Sequence, residues 1–177
     1  EIPEKEVFHK KYNPLTEMPQ SLRDALMMHT LAVAIVVKYL KVDGVNYLSM
    51  MVHPDNTIDW NKTFWQWIDT ELKTWRRLMG KSDDNYDKVQ MLRRFEQLFP
   101  LALEHYEIDE HPSFEEIKPL IAEVLKSKKV YLVNTDAEAQ TEIQWDDYKM
   151  HILVGAEMLN RGFTVEKLAT TYMPRYT

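Results

Sequence analysis

Apolar positions recur along most of the chain at helical spacing. The first strong run extends from Ser21 to about Lys41. Its apolar residues Leu22, Ala25, Leu26, Leu31, Val33, Ile35, Val36 and Leu40 cover nearly the whole circumference of a helix. A helix without a polar face belongs at the centre of a bundle. Ser21 and Asp24 read as an acidic variant of the capping box, and Asp43-Gly44 reads as the stop. Its apolar stretch, Ala25–Val37, is too short for a bilayer, which needs about 20 residues.

A short second helix is expected from about Val45 to Val52, followed by a loop at His53-Pro54-Asp55-Asn56. Thr57 or Asp59 caps a third helix that ends near Met79-Gly80. On it Phe64, Ile68, Leu72 and Trp75 share one face by i+4 and i+3 steps. Ser82, Asp83 or Asp84 starts a fourth helix through Val89, Leu92, Phe95 and Phe99, which Pro100 ends or kinks. Ser113-Phe-Glu-Glu116 is a capping box for a fifth helix carrying Ile117, Leu120, Ile121, Val124 and Leu125. Lys126, Lys128 and Lys129 suit the negative end of its dipole.

Val130–Val133 is strand-like but short and isolated, and reads as an extended connector. Thr135–Thr141 is polar. A sixth helix is expected from about Trp145 to Asn160, stopped by Gly162. A seventh runs from Thr164 to about Met173. The fold expected is therefore all-α. About seven helices form antiparallel hairpins, in an irregular bundle or a short helical array. Residues 1–19, with Pro3, Pro14 and Pro19, read as an extended amino-terminal arm. Residues 20–177 read as a single helical domain.

Composition narrows the chemistry. The chain has 177 residues and a formal net charge of −6, which argues against a general affinity for nucleic acid. It has no cysteine, which excludes disulfides, zinc–thiolate sites and thiol nucleophiles. Its four glycines form no phosphate-binding loop of the Gly-x-x-x-x-Gly-Lys or Gly-x-Gly-x-x-Gly kind. No Gly-x-Ser-x-Gly elbow is present. The first residue, Glu1, fits either a mature chain freed of a targeting segment or a trimmed one.

The histidines are His9, His29, His53, His105, His111 and His151. None lies in a His-Glu-x-x-His pattern. The densest cluster, Glu104-His105-Tyr-Glu107-Ile-Asp109-Glu110-His111, spans a helix end and a loop. It reads as a solvated acidic loop, with a metal or an unfamiliar enzyme site as the alternative. Asp147 and His151 fall at i and i+4 on the expected sixth helix and read as a structural pair. No catalytic, cofactor-binding or metal-ligating residue is assigned, and no cofactor is expected.

The tryptophans of the third helix, Trp60, Trp65, Trp67 and Trp75, cannot all face one side. Most read as core, with at least one at an interface. A stacking platform for single-stranded nucleic acid is the alternative, helped by Lys62, Lys73, Arg76, Arg77 and Lys81. Asp59, Asp69, Glu71, Asp83 and Asp84 balance those charges in the sequence.

Residues Tyr148-Lys-Met-His-Ile-Leu-Val-Gly-Ala-Glu-Met-Leu-Asn-Arg-Gly162 and Phe163–Pro174 resemble a pentatricopeptide repeat. Tyr148, Leu153, Gly162, Leu168, Met173 and Pro174 match in kind. In size and expected helical make-up the chain also resembles the pentatricopeptide-like accessory subunits of euglenozoan mitochondrial ATP synthase. That resemblance implies a non-catalytic subunit of a mitochondrial complex, on the matrix side of the inner membrane. Its partner would be an ATP synthase α subunit on the catalytic head, and it carries over no active-site residue. An RNA-associated helical-repeat protein is the alternative. An enzyme with a site near His105–His111 is a further one.

Overall fold

The computed structural model describes residues 2–9, 11–40, 44–54, 57–108, 110–133, 143–155 and 164–174. Among them are four α-helices and four β-strands. In chain order they are α1 (Gln20–Ile35), β1 (Leu48–Val52), α2 (Ile58–Met79), α3 (Tyr86–Leu103), α4 (Phe114–Lys126), β2 (Lys128–Leu132), β3 (Met150–Val154) and β4 (Leu168–Tyr172). The strands form one wholly parallel sheet in the order β2-β3-β1-β4. The fold is α/β, not the all-α array of about seven helices.

Each missing helix has a physical explanation. Leu48-Ser-Met-Met-Val52 and Met150-His-Ile-Leu-Val154 are buried at every position. A strand covered on both faces loses the apolar–polar alternation that marks a half-exposed strand. Five mostly apolar residues in a row then fit a helix and a strand equally well. Pairing decided the matter, because Leu48 to Val52 lie in register with Met150 to Val154. Val130-Tyr-Leu is not an isolated connector either, for β2 pairs with β3 from Lys128↔Met150 to Leu132↔Val154. The expected sixth helix contains one 3-10 turn, Trp145–Asp147, before β3, and the expected seventh is β4. The pentatricopeptide hairpin therefore has no helical carrier in residues 148–154 and 164–174. Its central part, with Gly162, and the Thr135–Thr141 stretch lie outside the described residues.

The four long helices follow their sequence patterns. α2 buries Phe64, Ile68, Leu72, Trp75 and Leu78 along one stripe. In α4, Ser113 Oγ accepts from the Glu116 amide while the Glu116 carboxylate accepts from the Ser113 amide, completing the capping box. Asn85, rather than Ser82, Asp83 or Asp84, caps α3 by accepting from the Lys88 amide at 3.1 Å. Pro100 sits inside α3, which continues to Leu103. Ser21 makes no capping box. The helix already begins at Gln20, and the Ser21 amide donates to Glu6 at 2.7 Å. α1 gives way after Ile35 to a π-helical turn, Val36–Leu40, and Gly44 has φ 76°, a left-handed conformation suited to glycine.

The helices lie against one face of the sheet. Leu48, Met50, Val52, Met150, Ile152 and Val154 join Leu31, Ile68 and Ile121 in the main core. The other face carries Met51 and Leu153, covered by Tyr131, Val133, Ile143, Trp145 and Val165. Right-handed crossovers require this division. The connection from β1 to β2 crosses leftward over the helical face. Those into β3 and β4 run rightward, and their described ends, at Ile143–Trp145 and Val165, lie on the opposite face. Phe8 of the amino-terminal arm is buried between Trp60 and Phe64, and its amide donates to the Pro174 carbonyl.

Candidate functional site: the carboxyl edge of the sheet

In open parallel sheets, ligands bind beyond the carboxyl ends of the strands. They sit where neighbouring strands send their connections to opposite faces. Here that point lies between β1 and β3. β1 leads to α2 on the helical face, and the connection from β3 returns at Val165 on the other face. The backbone ladder continues one residue beyond the strands. Val133 donates to Val154 (2.8 Å), Gly155 to Val52 (3.0 Å) and His53 to Tyr172 (2.9 Å).

Gly155 follows β3 against the Val133 main chain. A Cβ on it would lie 2.1 Å from the Val133 carbonyl oxygen, so no side chain fits without moving main chain. β3 thus ends on bare backbone. His53, 5% exposed, closes the end of β1, and buried Pro54 follows. The chain then enters α2, a helix of 22 residues with Thr57 at its cap position. One turn in, Asn61 is 3% exposed, and its Oδ1 has no hydrogen-bond partner. A helix start offers N–H groups and a positive dipole end, which attract anions. A buried, unsatisfied amide oxygen costs about 1–3 kcal/mol, a cost that a ligand donor would remove.

A second polar cluster lies on the sheet face away from the helices. His151 is fully buried in β3. Its Nε2 lies 2.8 Å from the Trp145 carbonyl and 3.0 Å from that of Tyr148, so Nε2 carries the proton and donates. Nδ1, 3.2 Å from the Tyr131 hydroxyl, then accepts from it. Tyr47, Tyr131, Trp145 and Tyr148 surround the ring. Burial lowers the His151 pKa; the two carbonyls, Asp147 and Asp146 act the other way. Both ring nitrogens are engaged, so this histidine joins loop to strand.

The sequence candidates are dispersed. His105 and His111 are exposed, and the His105 Nδ1 faces the Leu101 carbonyl of its own helix at 2.9 Å. Among the described residues no three histidines or carboxylates gather as metal ligands; Asp109 lies outside them. Asp147 and His151 are not i and i+4 on a helix, because one is in a 3-10 turn and the other in β3. Trp75 is buried against Phe95, while Trp60, Trp65 and Trp67 are half-buried on the core. Sequence reasoning read His53 as loop and did not single out Gly155 or Asn61. A glycine closing an apolar run was the available signal for a strand end.

A family model, described as Z1 domain, matches residues 21–177. The chain belongs to the Z1 domain family. Neither a curated protein nor a solved structure matches it. The match begins inside the first turn of α1 and takes in all four strands of the sheet. Both clusters described above therefore belong to the Z1 domain. Among the described residues no helix of this domain is long and apolar enough to cross a membrane.

Proposed function

We propose that this Z1 domain is a binding module that takes a small phosphate-bearing ligand in the crevice between the carboxyl ends of β1 and β3. The observation that carries this reading is the switch point itself: β1, which leads to α2, lies beside β3, after which the chain returns on the opposite face at Val165. Asn61 supplies an unsatisfied polar group one turn into that helix. The test is a titration of the isotope-labelled domain with inorganic phosphate and with nucleoside mono-, di- and triphosphates. Amide shifts at His53, Gly155 and Asn61 support the site. Shifts confined to other regions, or none at millimolar ligand, overturn it.

A structural role in a larger assembly, such as the accessory subunit of a mitochondrial complex, is the second reading. The observation in its favour is the pair of exposed rings Tyr12 and Tyr86, 76% and 74% accessible, since tyrosine is enriched at interfaces. Native mass spectrometry of the endogenous protein tests it: a lone monomer overturns it.

A further inference from the structure

We propose that the face formed by the last turns of α2 and the start of β2 binds the phosphate backbone of a single-stranded nucleic acid. In the sequence, the basic residues here are balanced by acidic ones. The fold separates them. Glu71 turns away, accepting from Arg23 at 2.8 Å and from the Trp75 indole at 2.9 Å. Asp83 is bound to Lys88 at 2.8 Å. Asp69 remains on this face and holds Lys73 at 2.6 Å.

Beside Asp69 stand four basic residues. Lys73, Arg76 and Arg77 are exposed on α2, and Lys128 is half-buried where the edge strand begins. Arg76 and Arg77 make no hydrogen bond or ion pair among the described residues. The Lys128 ammonium is driven toward its neutral form by burial, with Arg76 and Lys73 adding to this and Asp69 opposing. The Trp65–Val130 hydrogen bond sets β2 alongside α2, and Lys128 shares the Val130 side of the strand. Helix-dipole attraction accounts for cations at the end of α2. Lys128, which follows the carboxyl end of α4, opens β2 on the strand edge beside them.

The aromatic component favours a nucleic acid over an acidic protein. Trp65 lies on the same stripe as Asp69 and Lys73 by i+4 steps, and its indole N–H donates to the Val130 carbonyl of β2 at 3.2 Å. Val130 is two residues from Lys128, on the same side of the strand. A half-buried ring fixed beside a row of cations provides what single strands use, stacking for a base and charge for its phosphates. The net charge of −6 limits the footprint to this face and makes binding steeply dependent on salt.

Fluorescence anisotropy of a labelled 12-nucleotide oligo-dT, between 50 and 200 mM salt, tests the proposal. Three or four phosphate contacts give a slope of log K on log salt of about −2 to −3. The double reversal Arg76→Glu with Arg77→Glu touches only exposed side chains. It should weaken binding at least tenfold and flatten the slope, while Lys11→Glu on the arm changes neither. The proposal is overturned by unchanged affinity in the reversal or by absence of binding at 50 mM salt. Tighter binding of a duplex of equal length, or equal competition by poly-glutamate, overturns it as well.

Discussion

The two faces of the sheet are buried by different chemistry. Toward the helices, β1 and β3 present Leu48, Met50, Val52, Met150, Ile152 and Val154 to an apolar core. On the other side the same strands present Ser49 and His151 beside Met51 and Leu153. The helical face is held by area removed from water, a non-directional force. The opposite face depends on hydrogen bonds of fixed geometry, which cost more when half-made than when absent. The first face should therefore tolerate shape-conserving changes, and the second should tolerate few polar ones.

The change expected to break both faces at once is Gly155→Ala. It drives a methyl into the Val133 carbonyl where β2 and β3 end. The loss should exceed about 4 kcal/mol, beyond ordinary point mutations, and show in urea denaturation as a missing folded baseline. On the helical face, Ile152→Ala should lower the unfolding free energy by about 2–5 kcal/mol with an unchanged m-value. Ile152→Val should lose only about 1 kcal/mol. On the opposite face, His151→Leu strands the Trp145 and Tyr148 carbonyls and the Tyr131 hydroxyl. A loss of about 1–3 kcal/mol is expected despite the gain in apolar surface. If His151→Leu proves neutral, the contrast between the faces is wrong.

Acid acts on both faces. His29, on α1, is wholly buried, with Nδ1 3.0 Å from the Thr170 hydroxyl of β4. Burial lowers its pKa from 6.5 to about 3; the Leu48 backbone opposes this and His151 adds to it. The unfolded chain therefore takes up a proton near pH 6.5 that the folded chain refuses until about pH 3. Stability is fully present above 6.5 and falls by about 1.4 kcal/mol per pH unit between these values. His151 acts in the same direction. Denaturant midpoints measured from pH 7 to pH 4 should show this slope, and His29→Gln should flatten it. The smallest effect belongs to Ser49→Ala. The Ser49 hydroxyl is buried without a partner, so its removal should be neutral or should stabilise by up to about 1 kcal/mol.

The elements differ in how legible they were in the sequence. α2 and α4 announce themselves because their periodicity repeats over several turns and, in α4, because Ser113 and Glu116 make a local cap. β1 and β3 carry no such signal. Leu48–Val52 looks like one and a half turns of a buried helix until a partner strand is known, and that partner lies about 100 residues away in the chain. The candidate site was illegible for the same reason. His53 and Gly155 end neighbouring strands only because β1 and β3 pair, and Asn61 follows in the helix after β1. The basic face was partly legible: Lys73, Arg76 and Arg77 were visible as a group. Their excess over acid was not, since Glu71 and Asp83 are removed from the count by contacts with Arg23 and Lys88.

The sequence by itself determined the four long helices, the apolar stripes they bury and the absence of thiol chemistry. These depend on neighbours within a few residues, where spacing and caps act directly. Tertiary structure decided the sheet, and with it the α/β class and the point where neighbouring strands send the chain to opposite faces. Parallel strands cannot be joined by a tight hairpin, so no turn signal between them marks the pairing. Residues buried on both sides show only that they are apolar. The identity of their partner, and so the architecture, is settled by contacts that no window of the sequence contains.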